Sequence, residues 1–376
     1  MPTGPPRVLI AGGGVAGLEA ALALRALAGD RVAITLVAAQ PRFVYRPLSV
    51  GVPFGGAATA GVDLLAIADD RRFDLLLDRV EAIDLDRSSL RTAAHGALPY
   101  DHAVLALGAR PLSALPGALT FRGPQDVARF GELLGTLEHG DGGRIAFVAR
   151  SATSWTLPLY ELALMTARWA TRRELDCQVL VVTPEQTPLE ALGDEGSARM
   201  REALDRARVE LYLGTVVDRV DDGVLWEPVE GAIPADLVVA LPVLTGPRVA
   251  GLPRDPLGFV PVDGYGRVEA ASTTYAVGDM TAHPVKQGGL AAQQADVAAA
   301  CIAADVGAAA PPEPYEPVLR ALVLTGGAPL FLRNPPADGP EWPAEDPAIP
   351  WWPPHKVMGA HLAPYLAAHH ELLERR

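Results

Sequence analysis

The sequence predicts an α/β fold, and three observations carry that prediction. The stretch Val8–Glu19 reads VLIAGGGVAGLE: an apolar run that suits a short buried strand, Gly12, Gly14 and Gly17 in G-x-G-x-x-G spacing, then a helix-period segment from Ala16 to Ala28. Short apolar runs alternate with helix-period segments along most of the chain, the pattern of strand–helix–strand units. A middle segment repeats the strand–turn–helix reading with its glycines missing.

The glycine turn is read from its chemistry. The first glycine permits a tight turn, the second lets backbone approach a pyrophosphate, and the third lets helix and strand pack closely, so that the helix N-terminus points at phosphates. Arg31–Val37 then reads as a second parallel strand. A dinucleotide fold places an Asp or Glu at the end of that strand for ribose hydroxyls; here the end is Leu36-Val37-Ala38-Ala39-Gln40, and Gln40 supplies an amide in place of an acid. Pro41–Phe54, PRFVYRPLSVGVPF, reads as an ordered loop packed on a ligand. Tyr45 and Arg46 are its polar candidates, balanced between ligand contacts and, respectively, core and solvated charge. Asp74–Ala94 reads as a meander of strands, and Ala103–Leu107 as a buried strand ending at Gly108, where bare backbone can come close to a cofactor.

In the middle segment Gly123–His139 reads as a turn and helix and Arg144–Val148 as a strand. The turn that follows is Arg150-Ser151-Ala152-Thr153-Ser154-Trp155, and no glycine occurs from Ile145 to Met165. Helix-period residues resume at Leu159–Thr171 with Glu161 near the start; Val179–Val182 is a strand, Ser197–Arg208 a helix and Leu237–Leu241 a strand. The segment therefore reads as a nucleotide-binding half that has lost its phosphate cradle. Thr274–Val277 returns as a strand ending in Gly278-Asp279, followed by Lys286-Gln287-Gly288-Gly289 and a helix over Leu290–Ala304. An Asp at that strand end, facing a helix N-terminus, is placed to accept hydroxyl bonds from a polyol. Pro311–Pro314 marks a linker, Leu319–Thr325 a strand, Asn334–Pro350 an exposed excursion, Ile349–Pro354 (IPWWPP) an aromatic stretch and Met358–Leu373 a final amphipathic helix.

Composition excludes several classes. With 376 residues, 49% of them hydrophobic and 20% charged, the chain has room for two or three domains and a sizeable core. A net charge of −13 argues against nucleic acid or an anionic membrane as the main partner. The two cysteines, Cys177 and Cys301, form no C-x-x-C pair and read as buried small hydrophobes in a reducing compartment. The opening MPTGPPR reads as a short polar leader rather than a secretory signal, and no uncharged apolar run reaches the ~18–20 residues of a membrane span. Asp296 and Asp305 interrupt the Ala-rich stretch Ala291–Ala310, which reads as a buried helix. A cytoplasmic protein is expected, and no metal-ligand set is assigned.

Three segments together resemble the FAD-dependent pyridine-nucleotide oxidoreductases: AGGGVAGLEAAL near the start, LPYDHAVLALGARP at Leu98–Pro111, and YAVGDMTAHPVKQGGLAAQQA at Tyr275–Ala295. The branch they resemble holds the type II NADH dehydrogenases and sulfide:quinone oxidoreductases, and the likeness covers about residues 7–305. It implies two Rossmann-like dinucleotide-binding domains with a small C-terminal domain. FAD would bind to 1–110 and 242–310, a degenerate NAD(P)-like domain would occupy 111–241, and 311–376 would form the last domain. It implies that Gly12, Gly14, Ala16 and Gly17 surround the FAD pyrophosphate, with Gln40 toward the ribose. Arg46 and Pro47 belong to the Phe43–Pro47 loop over the isoalloxazine. Gly108 and Gly278 would be close backbone approaches, Asp279 would bond the ribityl or pyrophosphate region, and Lys286 would lie beside the pyrimidine ring to stabilise negative charge.

Departures from the family shape the functional expectation. Cys177 and Cys301 match neither reactive cysteine of the sulfide:quinone oxidoreductases. Arg150–Trp155 replaces the NADH glycine motif, and Gly288-Gly289 stands where a quinone-site Ala-Gln pair would be, with Gln293 retained. Lys286 and Glu161 are the catalytic candidates. Glu161 is weighed as a proton relay against a charge placed by the helix dipole. His283 and His355 are weighed as proton donors against ordinary loop histidines. Trp351 and Trp352 are weighed as a flavin wall, a core cap or a docking surface. The expected activity is passage of electrons through FAD to a quinone or other small acceptor, without the usual NADH mode. A flavin-binding protein that has lost its donor site, and an interaction scaffold, are the alternatives. A small redox substrate is the expected partner, with no nucleic acid and no integral membrane segment; peripheral membrane contact and a homodimer stay open.

Overall fold

The computed structural model describes residues 4–56, 61–140, 142–151, 155–221, 224–226, 231–269, 271–334 and 356–369. In chain order the elements that frame the site begin with β1 (Arg7–Ala11), α1 (Val15–Ala28), β2 (Ala33–Ala38), α2 (Leu64–Arg71), β3 (Asp74–Leu77) and β4 (His102–Leu105). They continue with β5 (Leu119–Thr120), α3 (Val127–His139), β6 (Gly142–Val148), α4 (Leu157–Arg172), β7 (Asp176–Val182), α5 (Gly193–Arg206), β8 (Glu210–Tyr212) and β9 (Leu237–Ala240). The chain ends through β10 (Thr274–Ala276), α6 (Gly288–Asp305), β11 (Leu319–Val323), β12 (Leu330–Asn334) and α7 (Leu362–Ala368).

Two parallel sheets organise these elements. The first runs β10-β4-β1-β2-β3, in a register that sets Ala11 opposite Val37 and Leu105. Its strands read as continuous apolar runs because both faces are covered. Val8 and Ile10 of β1 point into a core shared with α1 and α6, while Leu9 and Ala11 point at a meander, Val80–Asp84, Ser89–Thr92 and Gly96–Pro99. Helices α1 and α6 meet through Ala16, Ala20, Ala291, Ala295 and other small buried residues, which let two helix axes approach closely. The second sheet runs β5-β9-β6-β7-β8, all parallel, with α4 packed on one face. Between the sheets, Arg110–Leu112 and Val243–Thr245 pair antiparallel as the chain crosses out and back.

The hairpin β11–β12 packs Leu319, Ala321 and Val323 into the α4 core, and α7 docks on α1 through Leu362, Tyr365 and Leu366. The last helix begins at Leu362 rather than at the expected Met358, because the chain before Leu362 is pinned in a non-helical path described below; residues 370–373 of the expected helix lie outside the described residues. Helix α5 begins at Gly193, earlier than expected; Asp194 and Glu195 in its first turn complement the helix dipole. Trp351, Trp352, His355 and the 335–355 stretch lie outside the described residues.

Candidate functional site

A cavity of about 1130 Å³ opens at the carboxyl ends of the first sheet, bounded by the second unit and the C-terminal hairpin. Its wall includes Gly12, Gly14, Ala16, Gln40, Arg46, Pro47, Gly108, Glu161, Gly278, Asp279 and Lys286, so of the residues assigned to FAD or to catalysis all but Gly17 reach it.

The three glycines of the first turn divide into two kinds. Gly12 has φ +121°, and a Cβ there would collide with the carbonyl oxygen of Ala106; a Cβ at Gly17 would collide with the carbonyl oxygen of Gly12. Gly14, the N-cap of α1, has nothing within 4 Å on its Cβ side. Gly12 and Gly17 thus fold the backbone, whereas Gly14 keeps the space before the helix N-terminus clear. Gly278, at φ +74°, sits where α1 and α6 converge: its Cβ would lie 3.3 Å from that of Ala16 and 3.2 Å from that of Ala291. Two helix N-termini therefore face one end of the cavity, an arrangement suited to an anion.

Asp279 and Lys286 follow from the same turn. Burial pushes the Asp279 carboxyl up, opposed by the charges of Lys286 and Arg46. Lys286 is 9% exposed. Its Nζ donates to the Thr281 carbonyl at 2.5 Å and stands 3.6 Å from the centre of the Phe259 ring. Burial pushes its pKa down to about 8, with Asp279 and Asp255 holding against the fall. Arg46 is exposed toward the cavity, and Pro47 opens the 3-10 turn Arg46–Phe54, whose Ser49 hydroxyl donates to the Arg46 carbonyl at 2.6 Å. Tyr45 is core: its ring is buried and its hydroxyl accepts from the Val357 N–H at 2.6 Å. Gln40 is exposed at the end of β2, and Gly108, at φ +68°, has open space on its Cβ side.

Glu161 departs from the helix-dipole reading. It is fully buried on α4 and accepts from Lys356 Nζ at 2.6 and 2.5 Å and from the Leu324 N–H at 2.7 Å. Burial raises its pKa, and Lys356 is the largest opposing influence. It is thus the buried half of an ion pair rather than a free charge at the helix start. Sequence reasoning missed Lys356 altogether. A usable signal existed: the chain has only two lysines, Lys286 and Lys356. Both are buried, and both line this cavity.

The segment carrying Lys356 is pinned three times. Besides the ion pair and the Tyr45 bond, Glu19 of α1 is fully buried and accepts the N–H groups of His361 at 2.7 Å and Leu362 at 2.8 Å. Glu19 thereby caps α7 from another helix, which fixes where that helix begins. Asp296 lies beside it, and burial together with the Glu19 charge pushes its carboxyl up.

In the second unit, Glu185 follows the end of β7, where a dinucleotide fold carries its ribose-binding acid. It is 2% exposed and turned inward. It accepts from Thr156 Oγ1 at 2.9 Å, Tyr160 OH at 2.6 Å and Thr183 Oγ1 at 3.2 Å. Trp155 reaches the cavity wall; Ala152, Thr153 and Ser154 lie outside the described residues.

Other candidates are structural. Gln293 spends its amide on the backbone of Val318, at 2.9 and 3.0 Å, and of Gly289, and it does not line the cavity. His283 bonds within its own loop to Val285, and burial lowers its pKa. Neither cysteine lines the cavity, and burial pushes the Cys177 thiol up to about 11 and raises that of Cys301. Among the described residues no group of three or more His, Cys, Asp or Glu is placed to hold a metal ion. No described helix is long and apolar enough to cross a membrane.

Comparison with known proteins adds a consistent picture. The family described as pyridine nucleotide-disulphide oxidoreductase matches residues 6–300. The sulfide-quinone reductase of Aquifex aeolicus (strain VF5) is 24% identical over 265 residues, 66% of this chain; the match spans 61% of that protein. Among solved structures, the sulfide:quinone oxidoreductase from Aquifex aeolicus superposes with a TM-score of 0.77 at 20% identity, covering 85% of this chain and 82% of that one. A ferredoxin reductase from Rhodopseudomonas palustris gives 0.62 at 20% identity, covering 84% and 79%. NDH2 from Plasmodium falciparum gives 0.59 at 14% identity, covering 75% and 65%. At these identities the structural likenesses speak to the fold.

Proposed function

The chain belongs to the pyridine nucleotide-disulphide oxidoreductase family, whose members are FAD-dependent oxidoreductases, and from that premise we propose that it passes electrons through FAD to a quinone or other small acceptor, from a donor other than NADH bound in the usual mode. FAD is the cofactor that the family brings, and the residues of the large cavity fit it. The observation that carries the assignment is the cleared space at Gly14 before two converging helix N-termini, a cradle that a Cβ would fill. Gly12, Gly14 and Ala16 would hold the pyrophosphate there, on the turn that Gly17 lets pack closely. Asp279 would accept hydroxyl bonds from the ribityl chain, Arg46 and Pro47 would cover the ring system, and Gly108 would let it lie against bare backbone. FAD, when bound, supplies two-electron redox chemistry at its isoalloxazine ring. Lys286 holds a positive charge in a poorly solvated wall, where preorganised charge acts most strongly on negative charge that develops nearby. Glu161 fixes the second lysine, Lys356, at the same cavity.

The donor side rests on the second unit. Binding a nicotinamide dinucleotide asks for a glycine turn after the first strand and a free acid after the second. Here the turn reads Arg150–Trp155, and Glu185 already accepts from three hydroxyls in the interior. A persulfide relay would need thiolates at the cavity, and neither cysteine reaches it. The quinone acceptor is taken over from the printed name of the Aquifex relative. A flavin protein without a donor site is the second reading, favoured by this same loss of donor machinery.

The test is anaerobic mixing of the purified yellow protein with NADH, NADPH, sulfide and a chemical reductant while the flavin band is followed, then addition of a soluble quinone. No bleaching by nicotinamides and reoxidation by quinone are expected. Rapid bleaching by NADH would overturn the donor reading, and a reduced flavin untouched by quinone would favour the second reading.

A further inference from the structure

The wall of the large cavity is positive in a negatively charged chain. Among the described residues, seven arginines and both lysines line it, against three acids, Asp78, Glu161 and Asp279. The chain as a whole carries a net charge of −13. Part of the positive charge is matched locally. Lys356 pairs with Glu161, the charges of Asp279 and Asp255 act on Lys286, and Arg122 meets Asp126 at 3.2 Å. The FAD pyrophosphate, on the reading above, adds negative charge at Gly14, before α1. Positive charge remains in excess, and a cleft lined in this way concentrates small anions.

One of these arginines is held where a lone charge is costly. Arg320 lies on β11 and lines the cavity. Its strand neighbours Leu319 and Ala321 pack into the α4 core, Arg320 itself is half-buried, and among the described residues its buried Nε has no hydrogen-bond partner. Directly across the hairpin stands Arg333. Like charges opposite one another on paired strands are destabilising, because their Cβ atoms are only ~4.5–5.5 Å apart. Burial pushes the Arg320 pKa down, and the Arg333 charge adds to the fall. A guanidinium nevertheless keeps its proton, so the charge stays. A bound anion relieves it.

The surroundings of Arg320 say which anion. Its carbonyl accepts from Gln287 Nε2 at 2.9 Å, and Gln287 Oε1 accepts the Leu290 N–H at 2.8 Å to cap α6. Gln287 follows Lys286, which the FAD reading sets beside the pyrimidine ring. The pyrophosphate is seated elsewhere, at Gly14, so the anion that meets Arg320 belongs to a second molecule.

We propose that the small acceptor carries an acidic group, a carboxylate, sulfonate or phosphate, and that Arg320 binds it. This rests on the reading that the cavity holds FAD and passes electrons to a small acceptor, and it adds the charge of that acceptor. The planar fork of arginine takes two oxygens of such a group at once. The contact lies at a substituent, so no bond forms or breaks at Arg320; it decides which acceptor is held and how it lies.

The experiment uses the purified holoprotein, reduced anaerobically with dithionite. Reoxidation of the flavin band is followed against concentration with naphthoquinone and with its sulfonated derivative, at low and high salt, for wild type, Arg320→Gln and Arg320→Lys. Binding of naphthalenesulfonate, which accepts no electrons, is followed separately through the shift of the oxidised flavin band. Wild type is expected to half-saturate at a lower concentration of the sulfonated quinone than of the neutral one, with salt narrowing the difference. Arg320→Gln is expected to raise the ratio of those two concentrations about ten- to a hundredfold and to weaken naphthalenesulfonate by the same factor. Arg320→Lys keeps the charge without the fork and falls between. An unchanged ratio would overturn the proposal and leave the quinone reading intact. Loss of FAD from Arg320→Gln without a change in the ratio would also overturn it, giving the arginine to the pyrophosphate. If neither quinone reoxidises wild type, the quinone reading falls; naphthalenesulfonate binding that depends on Arg320 would still support an anion site there, and its absence would overturn that site too.

Discussion

Gly14→Ala and Gly17→Ala separate binding from folding within one turn of chain. At Gly17 the new methyl meets the Gly12 carbonyl oxygen, which is backbone and cannot swing aside. Overpacking of this kind costs about 1–3 kcal/mol, offset by the ~1 kcal/mol that Ala gains over Gly inside a helix. Gly14 has φ −91° and nothing within 4 Å, so neither strain nor collision follows. Loss of an N-cap glycine leaves at most about 1 kcal/mol. The methyl instead takes the space before the α1 N-terminus. Losing two charge-assisted bonds to a pyrophosphate, at roughly 1.5–3 kcal/mol each, weakens binding by about 3–6 kcal/mol. The assay is urea unfolding with and without added FAD, together with flavin occupancy after purification. Wild type should gain about 2.7 kcal/mol when FAD is at a hundredfold its Kd. Gly14→Ala should lose that increment with its flavin-free midpoint nearly unmoved, and Gly17→Ala should lower the midpoint in both conditions. Full flavin occupancy in Gly14→Ala, or equal damage to the flavin-free protein by both variants, would refute the division of labour.

Lys356→Met strips Glu161 of its counter-charge inside the protein and should cost about 3–5 kcal/mol in urea unfolding; adding Glu161→Leu should recover most of it, and no recovery would mean that the pair is not what was lost. Lys286 gives a pH signature in the flavin-free protein. Its folded pKa of about 8 lies below its ordinary 10.5, so between those values the unfolded chain binds more protons and stability rises with pH, by about 3 kcal/mol in all. Lys286→Met should flatten that rise, and an unchanged slope would assign it to other groups. Tyr160→Phe removes a 2.6 Å donor from buried Glu185 and should cost about 1–3 kcal/mol without creating a response to NADH; thermal melts and the anaerobic assay read the two effects separately.

What the sequence made legible was local. The glycine turn, Gly278-Asp279 and Lys286 each lie in a short strand–turn–helix stretch, so their spacing announces their place. What stayed hidden joins distant segments. Glu161 finds Lys356 195 positions away, and Glu19 caps a helix more than 340 positions away, so no periodicity connects them. The helix start expected at Met358 is corrected to Leu362 for the same reason: amphipathic spacing ignores a chain held by Tyr45, Glu161 and Glu19 until Leu362. Gln293 misled through analogy of position, since its amide is taken by the backbone of Val318, just before β11, which spacing along α6 does not show. Two of these gaps were still open to reasoning from charge. Glu19 and Glu161 each stand alone inside apolar helical runs, VAGLEAALAL and LPLYELALM, and a buried carboxylate requires a compensating partner. In a chain that carries almost all its positive charge on arginine, the two lysines are the exceptions to account for. A compact ammonium suits a tight buried pair and has a pKa that burial can move, whereas a guanidinium stays charged and prefers planar forks. The lysines follow that chemistry: both sit where charge is buried at the cavity.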